Sequence, residues 1–305
     1  MISQSDIREA LNEFRLFELL ISLSAREIQK GAHFSQALQA NQEFSNYRSY
    51  EPGDDLRFVD WKLFARSDKY YLRQNEQMKR RAISIEIDTS KSMLHRENQL
   101  MKIEFAKVVA GVLTQMAYQQ GDEFAILSSD SNNSRSSSIP KVKSGRRHFH
   151  ESLQTVFDLV TDKDKHSQKE GGDREDLPFK IQATASSQLH LYISDMHRVD
   201  ERTKQRLSSF SNADRQVQIF RILGPMEMGE TSVQQFELRD WETKQQRSWT
   251  EKDLEQFRKS VNNRLKEERI YWGKYGIDVH LFRLNDNPIE QMKEWLKTRH
   301  KSRVF

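Results

Sequence analysis

The chain has 305 residues, 31% charged and 36% hydrophobic, with 11 Gly, 5 Pro and no Cys, which excludes collagen-like, disulfide-scaffold and wholly disordered classes. Its 49 Lys and Arg nearly balance 45 Asp and Glu, and the +4 excess is interspersed along the chain, so charge gives no reason to expect a nucleic-acid partner. Without cysteine there is no thiolate zinc site and no cysteine nucleophile, a composition that suits a reducing cytoplasm.

In chain order, Ile7, Leu11, Phe14 and Ile21 recur near helical spacing and predict an amphipathic helix packed on its own domain, with peripheral membrane binding as the alternative. The apolar run 16–23 is broken by Glu18 and Ser22. It falls short of the roughly 20 residues of a membrane span and lacks a basic leader, so no direct span is expected. Glu51-Pro52-Gly53-Asp54 reads as a type II turn, with Pro presetting φ and Gly supplying the positive φ that follows. Asp54 or Asp55 can then cap a short helix that turns Leu56, Val59 and Leu63 inward. Trp61 is expected as a packing anchor. Arg48, Arg57 and Arg66 with Asp54, Asp55 and Asp60 are expected to form an ion-pair network joining this module to the sheet, with a second metal or hydrolytic site on the acids as the alternative.

Five short apolar runs follow, at 82–87, 124–127, 189–193, 217–222 and 277–284; their length and β-branched content predict strands. Helical patterns lie between them. One covers 98–120 and is stopped by Gly121; another begins at Thr250 with Leu254, Phe257, Val261, Leu265 and Trp272 on one face; the last opens at Asn287-Pro288. Loops are expected at 129–138, 161–176 and 224–232. Repeated strand, helix, strand predicts an α/β fold, a mainly parallel sheet with helices on both faces.

The first of these strands ends in Asp88-Thr89-Ser90-Lys91-Ser92. In open α/β sheets ligands gather at the carboxyl ends of the strands, and one carboxylate with two hydroxyls at alternating positions offers hard oxygen donors suited to Mg²⁺ or Mn²⁺. The plainer reading is that Asp and Ser cap the following helix. A second strand ends in Ser194-Asp195, which parallel topology places at the same sheet edge. His148 and His150, read on one side of an extended pair, offer a weaker case for zinc. Phosphate-loop, dinucleotide and serine-elbow motifs are absent from the sequence, and Ser90 stands where a haloacid-dehalogenase phosphatase needs its second Asp.

Asp88-Thr89-Ser90-Lys91-Ser92 and Ser194-Asp195 resemble the metal-ion-dependent adhesion site (MIDAS) of von Willebrand factor type A domains. The resemblance implies a Rossmann-like fold and a Mg²⁺ or Mn²⁺ held by Asp88, Ser90, Ser92 and Asp195, with an acidic group of a partner completing the shell. The family's remaining element is a Thr after a Gly pair. Here Asp173 follows Gly171-Gly172, a still harder donor that adds negative charge.

The block 44–66, containing Tyr50-Glu51-Pro52-Gly53-Asp54-Asp55, resembles the signature of the bacterial family called domain of unknown function fifty-eight. Residues 220–227, ending in Pro-x-Glu, and 238–243, with Trp241, resemble its later segments. This likeness implies an N-terminal module over 1–80 and a von Willebrand A-like domain over 81–305. It further implies a non-enzymatic adaptor or co-chaperone in the cytoplasm, without the N-terminal membrane helices of some relatives. The implied partners are a MoxR-type AAA+ ATPase and membrane-anchored von Willebrand A proteins. A metal-free scaffold and a metal-dependent phosphohydrolase stand as the competing readings.

Overall fold

The structure, a computed structural model, describes residues 2–31, 47–51, 59, 61–67, 69–73, 81–97, 99–128, 141–159, 187–197, 199, 201–212, 214–230, 237–239, 246–248 and 251–301. Its centre is a five-stranded, wholly parallel sheet of β1 (Ala82–Ile87), β2 (Glu123–Ser128), β3 (Leu189–Ser194), β4 (Gln216–Leu223) and β5 (Asp278–Arg283). The spatial order is β2-β1-β3-β4-β5. All five expected strands are present, and the Rossmann-like α/β class holds. The order reverses between β1 and β3, which makes the carboxyl ends of those two strands the switch point where such sheets bind ligands.

Eight helices are described: α1 (Gln4–Ala10), α2 (Phe14–Gly31), α3 (Trp61–Ser67), α4 (Lys102–Gln120), α5 (Arg146–Phe157), α6 (Glu201–Phe210), α7 (Glu251–Gly273) and α8 (Pro288–Lys301). One face of the sheet presents Ile83, Ile85 and Ile87 to a large core shared with α1, α2, α4, α5 and α8. The other carries a smaller cluster in which Tyr192, Val217 and Ile219 meet Leu207 and Phe210 of α6 and Trp272 of α7. Helix α4 is buried from Lys102 to Ala117 because α2, α5 and α8 cover its outer side. A Cβ on Gly111 would stand 2.8 Å from Ile21 Cδ1, so glycine sets how closely α2 approaches. Gly121, at φ 73°, ends the helix in the left-handed conformation.

The smaller face also holds a polar anchor. Glu86, buried in the middle of β1, accepts from Nη1 and Nη2 of Arg206 at 2.5 and 2.8 Å, and His190 of β3 lies 3.2 Å away. Ser84 and His190 share a hydrogen bond of 2.7 Å. Burial alone pushes the Glu86 carboxyl up, but Arg206 and His190 outweigh it and hold the group at about 2.

Several expectations need correction. The N-terminal amphipathic pattern is two helices, and both bury apolar residues in the main core, among them Ile7, Phe17, Ile21 and Ile28. The helix expected from 98 begins at Lys102, because Arg96–Glu97 pairs with Leu100–Met101 as a small antiparallel ladder. Trp61 is 57% exposed, meeting Phe64 edge-on rather than anchoring a core; in its place Phe64 stacks on Tyr70 at 4.4 Å. His148 and His150 lie on α5 and diverge: the first bonds the Phe124 carbonyl at 2.7 Å, the second lies 3.2 Å from Glu18. The type II turn, with Asp54, Asp55, Asp60 and Arg57, lies outside the described residues. No described helix is long and apolar enough to cross a membrane.

Candidate functional site at the switch point

The loop after β1 and the loop after β3 meet directly. The Asp88 backbone N–H donates to the Ile193 carbonyl at 2.8 Å, which extends the β1–β3 pairing beyond the last strand residue and aligns the two tips. Asp88 is then fixed from both loops. Its Oδ1 accepts the Ser90 N–H at 2.9 Å, an Asx turn that reverses the chain, and its Oδ2 accepts the Ser194 hydroxyl at 2.6 Å. The turn leads into a 3₁₀ segment, Lys91–Leu94, which brings Ser92 beside Ser90 with hydroxyl oxygens 3.0 Å apart.

On the β3 side, Asp195 is 1% exposed and receives two donors. The His197 N–H reaches Oδ1 at 3.0 Å, and the Lys102 ammonium reaches Oδ2 at 2.8 Å. Burial raises this carboxyl, but the Lys102 charge and the hydrogen bonds prevail and hold it below the usual range. Met196 takes φ +54° so that its N–H can return to the Ser194 hydroxyl at 2.9 Å. The structure thus brings Asp88, Ser90, Ser92 and Asp195 into one connected cluster, while Asp173 lies outside the described residues.

The cluster suits a small divalent cation in one measurable respect. Adjacent ligands of an octahedral ion with bonds of about 2.1 Å are about 3.0 Å apart, the separation of the two serine hydroxyls. Among the described residues no group of three or more His, Asp or Glu side chains could hold a metal, so the donor set depends on these hydroxyls together with the two carboxylates.

Lys102, Glu97 and Glu227 belong to the site but were not among its expected donors. Lys102 Nζ also donates to Glu227 Oε1 at 2.6 Å. Glu227 is held through its other oxygen by the Gly224 N–H at 2.9 Å, and Glu97 accepts the Met226 N–H at 2.8 Å. Burial raises Glu97 and lowers His95 from their ordinary values. One signal for Lys102 exists in the sequence: it is an ionisable side chain inside Leu100-Met101-Lys102-Ile103, where an apolar helix begins. The Pro-x-Glu segment that carries Glu227 entered only as part of the family likeness, with no site role attached.

A parallel α/β domain with a carboxylate and hydroxyl cluster at its switch point defines the class. Residues 46–271 match the family model described as "Protein of unknown function DUF58", and the chain belongs to that family. The uncharacterized protein Mb1516 of Mycobacterium bovis and the uncharacterized protein Rv1480 of Mycobacterium tuberculosis are each 25% identical over 169 residues, covering 55% of this chain and 50% of theirs. The chain thus spans about half the length of the curated relatives it matches. Among solved structures, the conserved hypothetical protein BatB from Bacteroides thetaiotaomicron and an aerotolerance-related membrane protein from Bacteroides fragilis each align at 13% identity and TM-score 0.39, over 73% of this chain and 99% of theirs.

Proposed function

We propose that this chain is a non-enzymatic protein–protein interaction module of the cytoplasm, whose von Willebrand A-like domain holds an acidic group of a partner through Mg²⁺ or Mn²⁺. Asp88, Ser90 and Ser92 hold the ion, Asp195 orients its waters, and Asp173 is a further candidate donor. The ion supplies a Lewis-acidic position open to a partner carboxylate. The reading carries a MoxR-type AAA+ ATPase as the partner, served as an adaptor or co-chaperone, with membrane-anchored von Willebrand A proteins as further partners.

The observation that carries this reading is the serine hydroxyl pair, 3.0 Å apart, beside two buried carboxylates at the sheet's switch point. A binding role is favoured over hydrolysis by the state of those carboxylates. Asp195 is ion-paired and its proton affinity lowered, while Asp88 is engaged by the Ser90 N–H and the Ser194 hydroxyl, so neither is set up as a general base.

Co-precipitation of the purified chain with a purified MoxR-type ATPase tests it. Association in Mg²⁺ that is lost with chelator and with Asp88→Ala is the expected result. Association unaffected by either treatment would favour a metal-free scaffold. No association would remove this partner, and Asp88-dependent phosphate release from a generic phosphomonoester would replace the module with a phosphohydrolase.

A further inference from the structure

Lys102 is the first residue of α4, the helix end at which the backbone dipole disfavours a cation, and its side chain is 1% exposed. Burial of an ammonium there requires close carboxylates. It has two, Asp195 at 2.8 Å and Glu227 at 2.6 Å. The turn after β4 is shaped to deliver the second: the Gly224 N–H fixes Glu227, and a Cβ at Gly224 would overlap the Glu97 carboxylate, which binds the Met226 N–H. A single carboxylate would complete an ion pair. The additional one matters if the first is also wanted elsewhere, and Asp195 directly follows Ser194, whose hydroxyl bonds Asp88 of the same cluster at 2.6 Å.

We infer that Lys102 is the resident counter-cation of Asp195, competes with the hydrated divalent ion for that carboxylate, and is kept by Glu227 when the ion's waters take it. This rests on reading the cluster as a divalent-ion site. Ammonium and ion draw on one carboxylate in a water-poor setting and repel each other. Lys102 therefore sets the affinity of the site, and the Pro-x-Glu segment acquires a role: it provides the ammonium with a second carboxylate close to the first.

The test is a Mn²⁺ titration of the full chain, reading free Mn²⁺ by electron paramagnetic resonance, with Lys102→Met and with the pair Lys102→Met, Glu227→Gln. The pair removes one charge of each sign, so a gain in affinity reports a freed Asp195 rather than a changed net charge. It also leaves no unpartnered Glu227 carboxylate, which protects the test if the single variant misfolds; circular dichroism checks folding of each. The expected result is binding at least about tenfold tighter than wild type in the folded pair variant, equivalent to about 1.4 kcal/mol. Wild-type binding with no tightening in that variant overturns the inference and leaves the ion site standing. Binding by the variant alone upholds the competition and makes the native chain metal-free; binding by neither overturns both readings.

Discussion

Replacing Arg206 by Met strips Glu86 of its bidentate partner and tests the anchor beneath the site. Glu86 is 4% exposed and held at about 2 against an ordinary 4.5. At about 1.36 kcal/mol per pH unit this depression represents on the order of 3 kcal/mol, in line with the roughly 3–5 kcal/mol for leaving one member of a buried pair uncompensated. Because the folded-state value is depressed, the contribution is fully present above the unfolded value of 4.5 and is lost as pH falls towards 2. Urea unfolding of wild type and Arg206→Met between pH 7 and pH 2.5 should therefore show a gap of about 3 kcal/mol or more at neutral pH. That gap should narrow through the acidic window. A gap below about 1 kcal/mol at pH 7, or one that does not change with pH, would refute this account of Glu86.

Other perturbations give separate readings. Gly224→Ala should displace the Glu97 carboxylate from the Met226 N–H and lower unfolding free energy by about 1–3 kcal/mol, measured by chemical denaturation. Gly111→Val should force α2 and α4 apart at Ile21 and cost about 1–3 kcal/mol, visible as a lower denaturation midpoint. Ser194→Ala removes the hydroxyl that joins Asp88 to the Met196 N–H. It should weaken Mn²⁺ binding by about tenfold, about 1.4 kcal/mol, while far-ultraviolet circular dichroism stays unchanged.

The sheet was legible because its inner strands are short apolar runs between turn signals, β1 being buried at every position, although the edge strand β5 buries only Phe282. The meeting of Asp88, Ser90, Ser92 and Asp195 at one edge was legible for a related reason: they follow strand ends, and parallel topology gathers strand ends at one edge. What local reasoning could not reach depends on long-range pairing. Lys102 and Glu227 are 125 residues apart and meet beside Asp195 only once α4 and the turn after β4 are in place. Trp61 was misread because aromatic size was taken as burial, whereas α3 leaves that face to solvent. His148 and His150 were misread because their alternation fits a strand, while the segment after Gly145 forms a helix that sends the two rings to different partners.

The central claim is that Asp88, Ser90, Ser92 and Asp195 form a divalent-ion site. Isothermal titration of Mg²⁺ and Mn²⁺ into the metal-free full chain, beside Asp88→Ala, tests it most directly. The account predicts saturable binding of one ion per chain that disappears in the variant. Binding that persists in Asp88→Ala, or no binding of either ion by wild type, would contradict it.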